Sequence, residues 1–465
     1  MSVRFAILVS ALAILSLTQF QTLTAQCDRV DSCVTVQMSH RHIPGLALAV
    51  IRDGVPIKVK GYGLANIELN VPVNPETIFQ SGSVGKQFTA FLVMRLVEQG
   101  KIKLGEPITS YFPNSPNTWQ KITVRHLLTH TSGIANYTDD FLGGNLRADY
   151  TEDQMMEKAK QMPLDFQPGE KWSYSNTGYV LLGILIHKVS GQFYGDLLKR
   201  YVFQPLSMET ARIISEADII PNRAAGYRLE NGEWKNQEWV SPSLNTTADG
   251  ALYFTILDLV KWDAALSSGR ILSRSSYDQI WSPVRLTNDS LHPYGFGWFL
   301  SPINGRKAVY HSGGWQGFNT FIGRYLDDHL TVMVLANLAT AYSDKIARSV
   351  AGIYVSELGE KVLNPITDRE PQFTSMVENL YRNPDTTNVN LALFAGDYQP
   401  KLFLRSIVRL QNVLGPFRTI EMVGYSAEAS SIKVQYRIHF KVGSRIVTIT
   451  HTKSGQISGT RGEPE

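Results

Sequence analysis

The stretch Ser83-Val84-Gly85-Lys86 lies between a turn and an apolar run, Gln87 to Glu98, that has a helical character. A serine three residues before a lysine at the start of a helix places both side chains on one face. A serine hydroxyl is a weak nucleophile until a neighbour takes its proton, and a lysine amine is such a neighbour. The S-x-x-K spacing therefore makes Ser83 a candidate nucleophile and Lys86 its candidate base.

Two other motifs compete for these residues, and one of them fails. A phosphate-binding P-loop needs glycine six residues before its lysine and Ser or Thr directly after it, but those positions hold Gln80 and Gln87. The run Ser81 to Gly85 matches the nucleophile elbow G-x-S-x-G except at its first position. This second alternative, an α/β-hydrolase esterase with an essential Asp–His pair, stays open.

Residues 1–25 differ from the rest of the chain. Arg4 is followed by the apolar run Phe5 to Leu17 and then by small and polar residues up to Ala25. This pattern is typical of a secretory signal peptide cleaved near Ala25, and it predicts export to the periplasm or the extracellular space. The apolar run is too short for a membrane span, so we expect no stable membrane anchor.

The composition is that of a folded globular protein of two or three domains, since 43% of the 465 residues are hydrophobic and 18% are charged. The formal net charge of +4 is too small to argue for a nucleic-acid partner. Cys27 and Cys33 lie close together in an exported chain, so a small disulfide loop is plausible. Neither cysteine lies near the motifs, which argues against a thiol nucleophile.

Strand-like runs at both ends of the first 360 residues predict one sheet. An early hairpin is formed by Leu46 to Ile51, a turn at Asp53-Gly54, and Val55 to Tyr62. The later elements are Lys307 to His311, Phe318 to Tyr325, Leu330 to Leu335 and an amphipathic segment, Tyr342 to Glu357. We therefore expect an α+β fold in which an antiparallel sheet of N- and C-terminal strands is flanked by helices and carries a helical insertion.

The last part of the chain predicts a small second domain. Helical periodicity covers Lys401 to Leu414 and stops at Gly415-Pro416. Alternating runs follow at Phe417 to Val423, Ile432 to Phe440 and Arg445 to Thr450, with Val434, Tyr436, Ile438 and Phe440 on one strand face. The predicted organisation is a signal peptide (1–25), a catalytic domain (26–360), a linker (361–384) and a helix-plus-meander accessory domain (385–465).

Two further motifs supply candidate site residues. Tyr174-Ser175-Asn176 lies in a polar loop at the start of a helical run, where it can present a phenol and an amide to a cleft. The alternative is a packing tyrosine, with Asn176 capping the helix. His311-Ser312-Gly313-Gly314 follows a strand-like run, and its glycines allow a ligand close to the backbone, so that Gly314 N–H can face an oxyanion. The alternative here is a glycine turn with His311 on the surface.

The order of the three motifs resembles the serine β-lactamase and penicillin-binding superfamily. Three further stretches look like its class C-like branch, and the resemblance covers about residues 40 to 356: Leu127 to Ile134, Asp249 to Leu252 and Tyr294 to Trp298. True β-lactamases usually carry lysine at the position of His311, whereas the H-x-G form is similar to D-aminopeptidases and esterases of this branch. A histidine with its usual pKa of about 6.5 is mostly neutral at pH 7, which puts β-lactam hydrolysis as the main activity in doubt.

The resemblance implies a serine hydrolase in which Ser83 forms an acyl-enzyme with a small ester, amide or peptide. The usual pKa of lysine, about 10.4, must fall before Lys86 can act as a base. We expect Lys86 and Tyr174 to form a coupled proton relay, in which protonated Lys86 favours the Tyr174 phenolate. Tyr174 then protonates the leaving group and later activates the hydrolytic water.

The remaining residues have supporting roles in this scheme. Backbone N–H groups of Ser83 and Gly314 form the oxyanion hole, Asn176 orients Lys86 or a substrate amide, and His311 hydrogen-bonds Tyr174 or the substrate. No metal or cofactor is required. The family's accessory domains often cover or shape the cleft, so the resemblance leaves either role open to residues 385–465.

Two histidine pairs invite a metal-site interpretation, but neither supports one well. His126 and His130 have i, i+4 spacing without the glutamate of H-E-x-x-H, and His40 and His42 are only two residues apart. A penicillin-binding sensor that acylates without turnover, or a true β-lactamase, stays open as an alternative function. The sequence leaves the substrate and the oligomeric state open.

Overall fold

The structure, a computed structural model, describes residues 28–138, 146–360, 363–396 and 398–464. Its helices are α1 28–41, α2 Lys86–Glu98, α3 Val124–Leu128, α4 Glu152–Gln161, α5 Asn176–Ser190, α6 Tyr194–Leu198, α7 Ile256–Ser268, α8 Arg274–Ile280, α9 Ser343–Tyr354, α10 Pro371–Arg382 and α11 Pro400–Leu414. Its strands are β1 Gly45–Arg52, β2 Val55–Asn66, β3 Val71–Pro72, β4 Phe79–Gln80, β5 Arg212–Ile213, β6 Tyr227–Glu230, β7 Glu233–Asn236, β8 Leu252–Phe254, β9 Val284–Arg285, β10 Leu291–His292, β11 Ala308–Trp315, β12 Phe318–Tyr325, β13 Leu330–Ala336, β14 Phe417–Ala427, β15 Ser431–Phe440, β16 Ser444–Thr452 and β17 Ile457–Pro464.

The main sheet joins early and late strands in the order β11-β12-β13-β1-β2-β3. Every neighbouring pair is antiparallel, and β1 lies between its hairpin partner β2 and the distant β13. This confirms the predicted α+β fold, including the hairpin and the three late strands. It also removes the α/β-hydrolase alternative, because that fold is built on a mostly parallel sheet.

Both faces of this sheet are covered, which explains why β1 is buried along its length. Side chains alternate along a strand, so Ala47, Ala49 and Ile51 join the larger hydrophobic cluster beneath the helical insertion. Leu46 and Val50 belong to the cluster on the other face, together with residues of α1 and α9. The amphipathic segment predicted at Tyr342 to Glu357 is therefore α9, which packs its apolar stripe on the sheet.

Helix α2 is the central helix of the larger cluster. It is buried over most of its surface, because it packs against α5, α6 and α8 rather than facing solvent. The Phe88 ring stacks on Trp262 of α7, with 4.4 Å between the ring centroids. This packing fixes the N-terminal end of α2, where Ser83 and Lys86 lie.

A four-stranded sheet, β14-β15-β16-β17, forms with α10 and α11 a separate hydrophobic cluster near the C-terminus. Val434, Tyr436, Ile438 and Phe440 are all buried, which confirms their shared face. Strand β17 was not predicted. The stretch predicted as a linker contains α10, which is a correction to the simple connection that we expected.

Two features explain why α10 forms in that stretch. Pro371 occupies the first helical turn, where its missing N–H costs nothing. Phe373, Val377 and Tyr381 recur every four residues and are buried in the C-terminal cluster. The domain boundaries at residues 360 and 385 stay predictions.

The C-terminal part docks on the β6–β7 hairpin. Asn231 N donates to Asn412 O at 2.8 Å, and Gly232 N donates to Val413 O at 3.0 Å. Val442 is buried in the same cluster as Leu229 of β6. Among the described residues, no helix is long and apolar enough to cross a membrane.

Candidate active site

Ser83 and Lys86 are brought together by the turn that leads into α2. Residues Gly82–Gly85 form a 3-10 helix, and Lys86 is the first residue of α2. Their side chains meet, with 3.1 Å between Lys86 Nζ and Ser83 Oγ. The tighter turn replaces the regular helix that the spacing suggested, but the two groups still lie on one side.

Two further oxygen atoms surround the amine of Lys86. Asn176 Oδ1 lies 2.7 Å and the backbone oxygen of Asp249 2.5 Å from Nζ, and the side chain is 0% exposed. Burial lowers the pKa of Lys86 to about 8, although the negative charge of Asp249 acts to raise it. A neutral amine has two N–H donors for these two oxygens and one lone pair that can accept the Ser83 proton.

Tyr174 lies over this pair, but it is not poised as a phenolate. Lys86 Nζ is 4.9 Å from the centre of the Tyr174 ring. Burial raises the Tyr174 pKa, contact with Ser83 lowers it by less, and Asp249 raises it further. The expectation that Lys86 favours the phenolate is therefore wrong, because desolvation of the charged form outweighs the attraction.

The Tyr174 hydroxyl is buried and makes no hydrogen bond of standard geometry with any described residue. It nevertheless lies near enough to Ser83 for that side chain to lower its pKa. In the resting state the phenol therefore keeps its proton free for an incoming group. A substrate atom close to Ser83 Oγ would be the nearest acceptor.

His311 makes its hydrogen bond with Tyr294 and not with Tyr174, which corrects one of the two expected partners, while the other, the substrate, stays a prediction. Its Nε2 lies 3.0 Å from Tyr294 Oη, and its Nδ1 lies 2.6 Å from Ser312 O. The motif also lies within β11 rather than in a turn after it, since His311 pairs with Ile322 of β12. The side chain is buried, so the surface alternative for His311 fails as well.

Tyr294 links His311 to a second buried histidine, His130. The distance from His130 Nε2 to Tyr294 Oη is 3.2 Å, and Ser175 N donates to His130 Nδ1 at 3.2 Å. Because Nδ1 accepts, the His130 proton is assigned to Nε2, which donates to Tyr294. Tyr294 in turn donates to His311 Nε2, and His311 Nδ1–H donates to Ser312 O.

Both histidines of this network are neutral. Burial lowers the pKa of His311 to about 3, and the nearby Lys86 lowers it further. Burial also lowers the pKa of His130 well below its usual value. Because the ring of His130 lies 4.2 Å from the ring of Tyr174, the network supports the position of the phenol.

The backbones of the first and third motifs approach each other so closely that only glycines fit. A Cβ atom at Gly82, where φ is +49°, would lie 2.5 Å from Gly314 N. A Cβ atom at Gly313 would lie 2.3 Å from Ser81 O and 2.9 Å from Ser83 N. The N–H groups expected to form an oxyanion hole, those of Ser83 and Gly314, therefore lie on adjacent segments.

A cavity of about 210 Å³ opens at Ser83. Its described lining has one ionisable acid, Asp249, and no lysine or arginine. Asp249 Oδ2 accepts a hydrogen bond from Tyr137 at 3.1 Å. The lining residues are Gly82, Ser83, Tyr137, Thr138, Asn176, Leu244, Thr247, Asp249, Gly250, Ala251, Gly314 and Trp315.

Sequence reasoning missed four residues of this site: Tyr137, Asp249, His130 and Tyr294. Three of them lie in the stretches that carried the family resemblance, but those stretches gave no role to a single side chain. His126 is engaged at the start of α3, where its Nδ1 accepts from Thr123 N at 3.2 Å. Cys27 lies outside the described residues, so its pairing with Cys33 stays a prediction.

The comparisons with known proteins agree with this fold. The sequence model of the family described as Beta-lactamase matches residues 30–354. Penicillin-binding protein 4* of Bacillus subtilis (strain 168) is 33% identical over 313 residues, which cover 63% of this chain and 68% of that protein. A D-aminopeptidase of Gluconobacter oxydans (strain 621H) is 27% identical over 323 residues, 67% of this chain and 59% of that protein.

Two solved structures are similar over their whole length. An octameric penicillin-binding protein homologue from Pyrococcus abyssi has a TM-score of 0.65 and 25% identity, and the match covers 94% of this chain and 96% of that one. The D-amino acid amidase of Ochrobactrum anthropi SV3 has a TM-score of 0.61 and 24% identity, with 72% and 97% covered, and shows the fold. The chain therefore belongs to the beta-lactamase family and is a serine hydrolase.

Proposed function

We propose that Ser83 forms an acyl-enzyme with a small amide, ester or peptide, with Lys86 as its base. The observation that carries this proposal is the set of atoms that contact the Lys86 amine. Two acceptors, Asn176 Oδ1 and Asp249 O, take its N–H groups, and the third contact is Ser83 Oγ at 3.1 Å. This arrangement suits a neutral amine that is ready to receive the serine proton.

Acylation then proceeds with one net proton transfer. Lys86 Nζ takes the Ser83 proton while Ser83 Oγ bonds to the substrate carbonyl carbon, whose oxygen faces the N–H groups of Ser83 and Gly314. The bond to the leaving nitrogen or oxygen breaks, and Tyr174 donates a proton to that atom. Lys86 returns a proton to Tyr174, so that both groups regain their resting states.

Deacylation uses water in place of the leaving group. Lys86 Nζ accepts a proton from the water as the water oxygen bonds to the acyl carbon. The bond from that carbon to Ser83 Oγ breaks, Ser83 regains its proton and the free acid leaves. We assign the base to Lys86 in this step, because burial raises the Tyr174 pKa and so keeps the phenol protonated.

The cavity favours substrates with a positively charged amine. Asp249 is its one charged lining residue among the described ones, and its negative charge would repel a substrate carboxylate in the cavity. A free ammonium group is, by contrast, attracted to it. The relatives named D-aminopeptidase and D-amino acid amidase support amides of D-amino acids as the first compounds to examine.

A panel of chromogenic substrates tests the proposal. We expect turnover of a D-amino-acid anilide with a free amine, and Ser83→Ala to lower kcat at least about 1,000-fold. Intact-mass measurement after a rapid quench should show one acyl group on the wild type and none on the variant. Wild-type turnover by Ser83→Ala would refute the acyl-enzyme mechanism.

A matched pair of substrates tests the proposed attraction of Asp249 for a substrate amine. Asp249→Asn should raise KM for the free-amine anilide about tenfold or more and leave KM for its N-acetylated analogue nearly unchanged. Equal effects on both compounds would remove the amine preference without touching the role of Ser83.

A penicillin-binding protein that acylates without turnover is the second candidate. It is favoured by the raised Tyr174 pKa, which removes the phenolate as a base and slows deacylation while Lys86 stays protonated. Burst kinetics distinguish the two candidates. One equivalent of product followed by no further release supports the non-hydrolysing protein, whereas a steady rate supports the enzyme.

We also propose that the mature protein is exported after cleavage near Ala25. Cleavage there leaves the described part of the chain intact, since α1 begins at residue 28. The expected mature N-terminus, Gln26, can be read by N-terminal sequencing of protein recovered from the medium or the periplasm. An uncleaved Met1 on that material would contradict this proposal.

A further inference from the structure

Two buried arginines share a small cavity far from Ser83 in sequence, at the junction of α1, α9 and β16. Arg41 and Arg445 are 8% and 7% exposed. Both guanidinium groups lie against the ring of Tyr342, at 5.7 and 4.8 Å from its centroid. The cavity is lined by both arginines, by Tyr342 and by Thr340.

No carboxylate of the described chain forms an ion pair with either arginine. Arg41 Nε donates to Gln37 Oε1 at 2.9 Å, which is a neutral acceptor. Arg445 donates to Ser444 O at 2.8 Å and to Tyr342 Oη at 3.0 Å, which are neutral as well. Charged side chains are almost never fully buried without a partner of opposite charge.

The charges of the two arginines persist at neutral pH. Burial and the positive charge of Arg445 lower the pKa of Arg41 to about 10, although the negative charges of Asp344 and Glu360 act to raise it. Burial lowers the pKa of Arg445 too. A pKa of about 10 still leaves Arg41 protonated at pH 7, so the pocket holds two positive charges.

Two buried donors at this cavity have no partner. Arg41 Nη1 and Thr340 Oγ1 are inaccessible to solvent and make no hydrogen bond with any described residue. Such orphaned groups are rare in folded proteins and point to an ion or a water between them. The cavity volume of about 10 Å³ has room for one small occupant, a water or a monatomic ion, and not for phosphate or sulfate.

We propose that this cavity is a halide site that holds a chloride ion in solution. The ion accepts hydrogen bonds from Arg41 Nη1 and Thr340 Oγ1 and offsets the charges of Arg41 and Arg445. A water molecule satisfies the donors but brings no negative charge to the two guanidinium groups. Asp344 and Glu360 act on Arg41 only without an ion pair, and this favours an anion. The chloride fastens β16 of the C-terminal sheet to α1 and to the start of α9.

Anomalous diffraction from crystals of the full chain soaked in bromide tests the occupant directly. We expect a bromide peak between Arg41 Nη1 and Thr340 Oγ1 that is absent without bromide. A lone water at that position, or a side-chain or C-terminal carboxylate in contact with the two arginines, would overturn the proposal.

A solution measurement tests the same site through stability. At constant ionic strength, replacing gluconate by 200 mM chloride should raise the wild-type Tm by about 2 to 4 °C, because an ion bound to the folded state stabilises it. Arg41→Gln and Thr340→Val should each reduce this rise. Arg306→Gln, which alters an arginine paired with Asp328, is the control and should keep it.

The two variants differ in how much they disturb the fold, so one of them remains informative if the other is unstable. Neither residue touches the Ser83 cavity, and kcat should be unchanged in both. A Tm that rises equally in the wild type and in both variants would mean that chloride acts elsewhere, and the assignment would fail.

Discussion

Lys86 is the residue whose protonation sets the pH range of activity. Its pKa is lowered by burial to about 8, so the amine is neutral above that pH and protonated below it. We expect kcat/KM for an uncharged ester to fall about tenfold per pH unit below this midpoint and to level off above it.

Asp249→Asn tests the origin of that midpoint. The negative charge of Asp249 raises the Lys86 pKa, so its removal should move the midpoint to lower pH. The pH–rate profile with the same uncharged ester measures this shift. A midpoint that stays in place or moves upward would show that Lys86 is not the titrating base.

Tyr294 is the residue that joins the two neutral histidines. Tyr294→Phe leaves His130 Nε2–H and His311 Nε2 without a partner in the interior, which should destabilise the fold by about 1–3 kcal/mol in urea unfolding. It should also lower kcat, because His130 supports the ring of Tyr174. Tyr277→Phe is the matched control, since the Tyr277 hydroxyl is buried without a partner, and its loss should cost little.

The residues of the site were predictable to different degrees for physical reasons. Ser83 and Lys86 were found because they are three positions apart in the sequence, and this local spacing determines how their side chains meet. Asn176 was found through its motif, but the backbone oxygen of Asp249 carries no residue-type signal at all. The contact between His311 and Tyr294 depends on how β11 packs against a loop, which no spacing records.

At the scale of elements, one buried ion pair ties α7 to the main sheet. Arg324 Nε of β12 donates to Asp263 Oδ1 at 2.8 Å, and Thr331 Oγ1 of β13 donates to the same oxygen at 3.1 Å. Asp263→Ala leaves a buried guanidinium unpaired and should destabilise the protein by about 3–5 kcal/mol.

A surface pair provides the control for this prediction. Asp278 pairs with Arg274 on the exposed face of α8, and Asp278→Ala should change the free energy of unfolding by less than about 1 kcal/mol. Urea unfolding of both variants measures the two changes in the free energy of unfolding. If both variants lose the same free energy, the Asp263 pair behaves like a surface pair, and our account of it is wrong.

The elements themselves were predicted where their pattern is local and strong. The hairpin of β1 and β2, the alternation along β15 and the stripe of α9 all have regular apolar spacing, and each was found. Strand β17 was missed because Gly459, Gly462 and Pro464 interrupt its pattern. Helix α10 was missed because it lies in a polar stretch with prolines at 365, 371 and 384, which is typical of a connection.

At the scale of the whole molecule, the C-terminal sheet docks away from the catalytic cavity. All residues that line the cavity at Ser83 in the described structure lie between 82 and 315. The resemblance left open whether the accessory part covers or shapes the cleft, and this part contacts the β6–β7 hairpin through Val442 and α11 instead. This difference arises because the apolar surface that β6 offers lies outside the cleft.

Val442→Lys should therefore loosen the docking without affecting turnover of a small ester. The new ammonium group would be buried against Leu229 and beside Arg41 and Arg445 without a partner, so limited proteolysis between residues 360 and 371 should accelerate. Val36→Lys on an exposed face of α1 is the control and should leave the cleavage rate unchanged. A marked loss of kcat in Val442→Lys would show that the C-terminal sheet shapes the active site after all.

The position of β1 in the main sheet has a consequence for the protein during its synthesis. Leu46 of β1 pairs with Ala336 of β13, so one edge of β1 has no partner until β13 is synthesised about 290 residues later. At a synthesis rate of about 5–20 residues per second, that delay is roughly 15 to 60 seconds. During this time the nascent chain carries a strand that is apolar except for its last residue, Arg52, with one edge unpaired. A chaperone or a translocation machinery that holds unfolded chains has its longest opportunity to bind then.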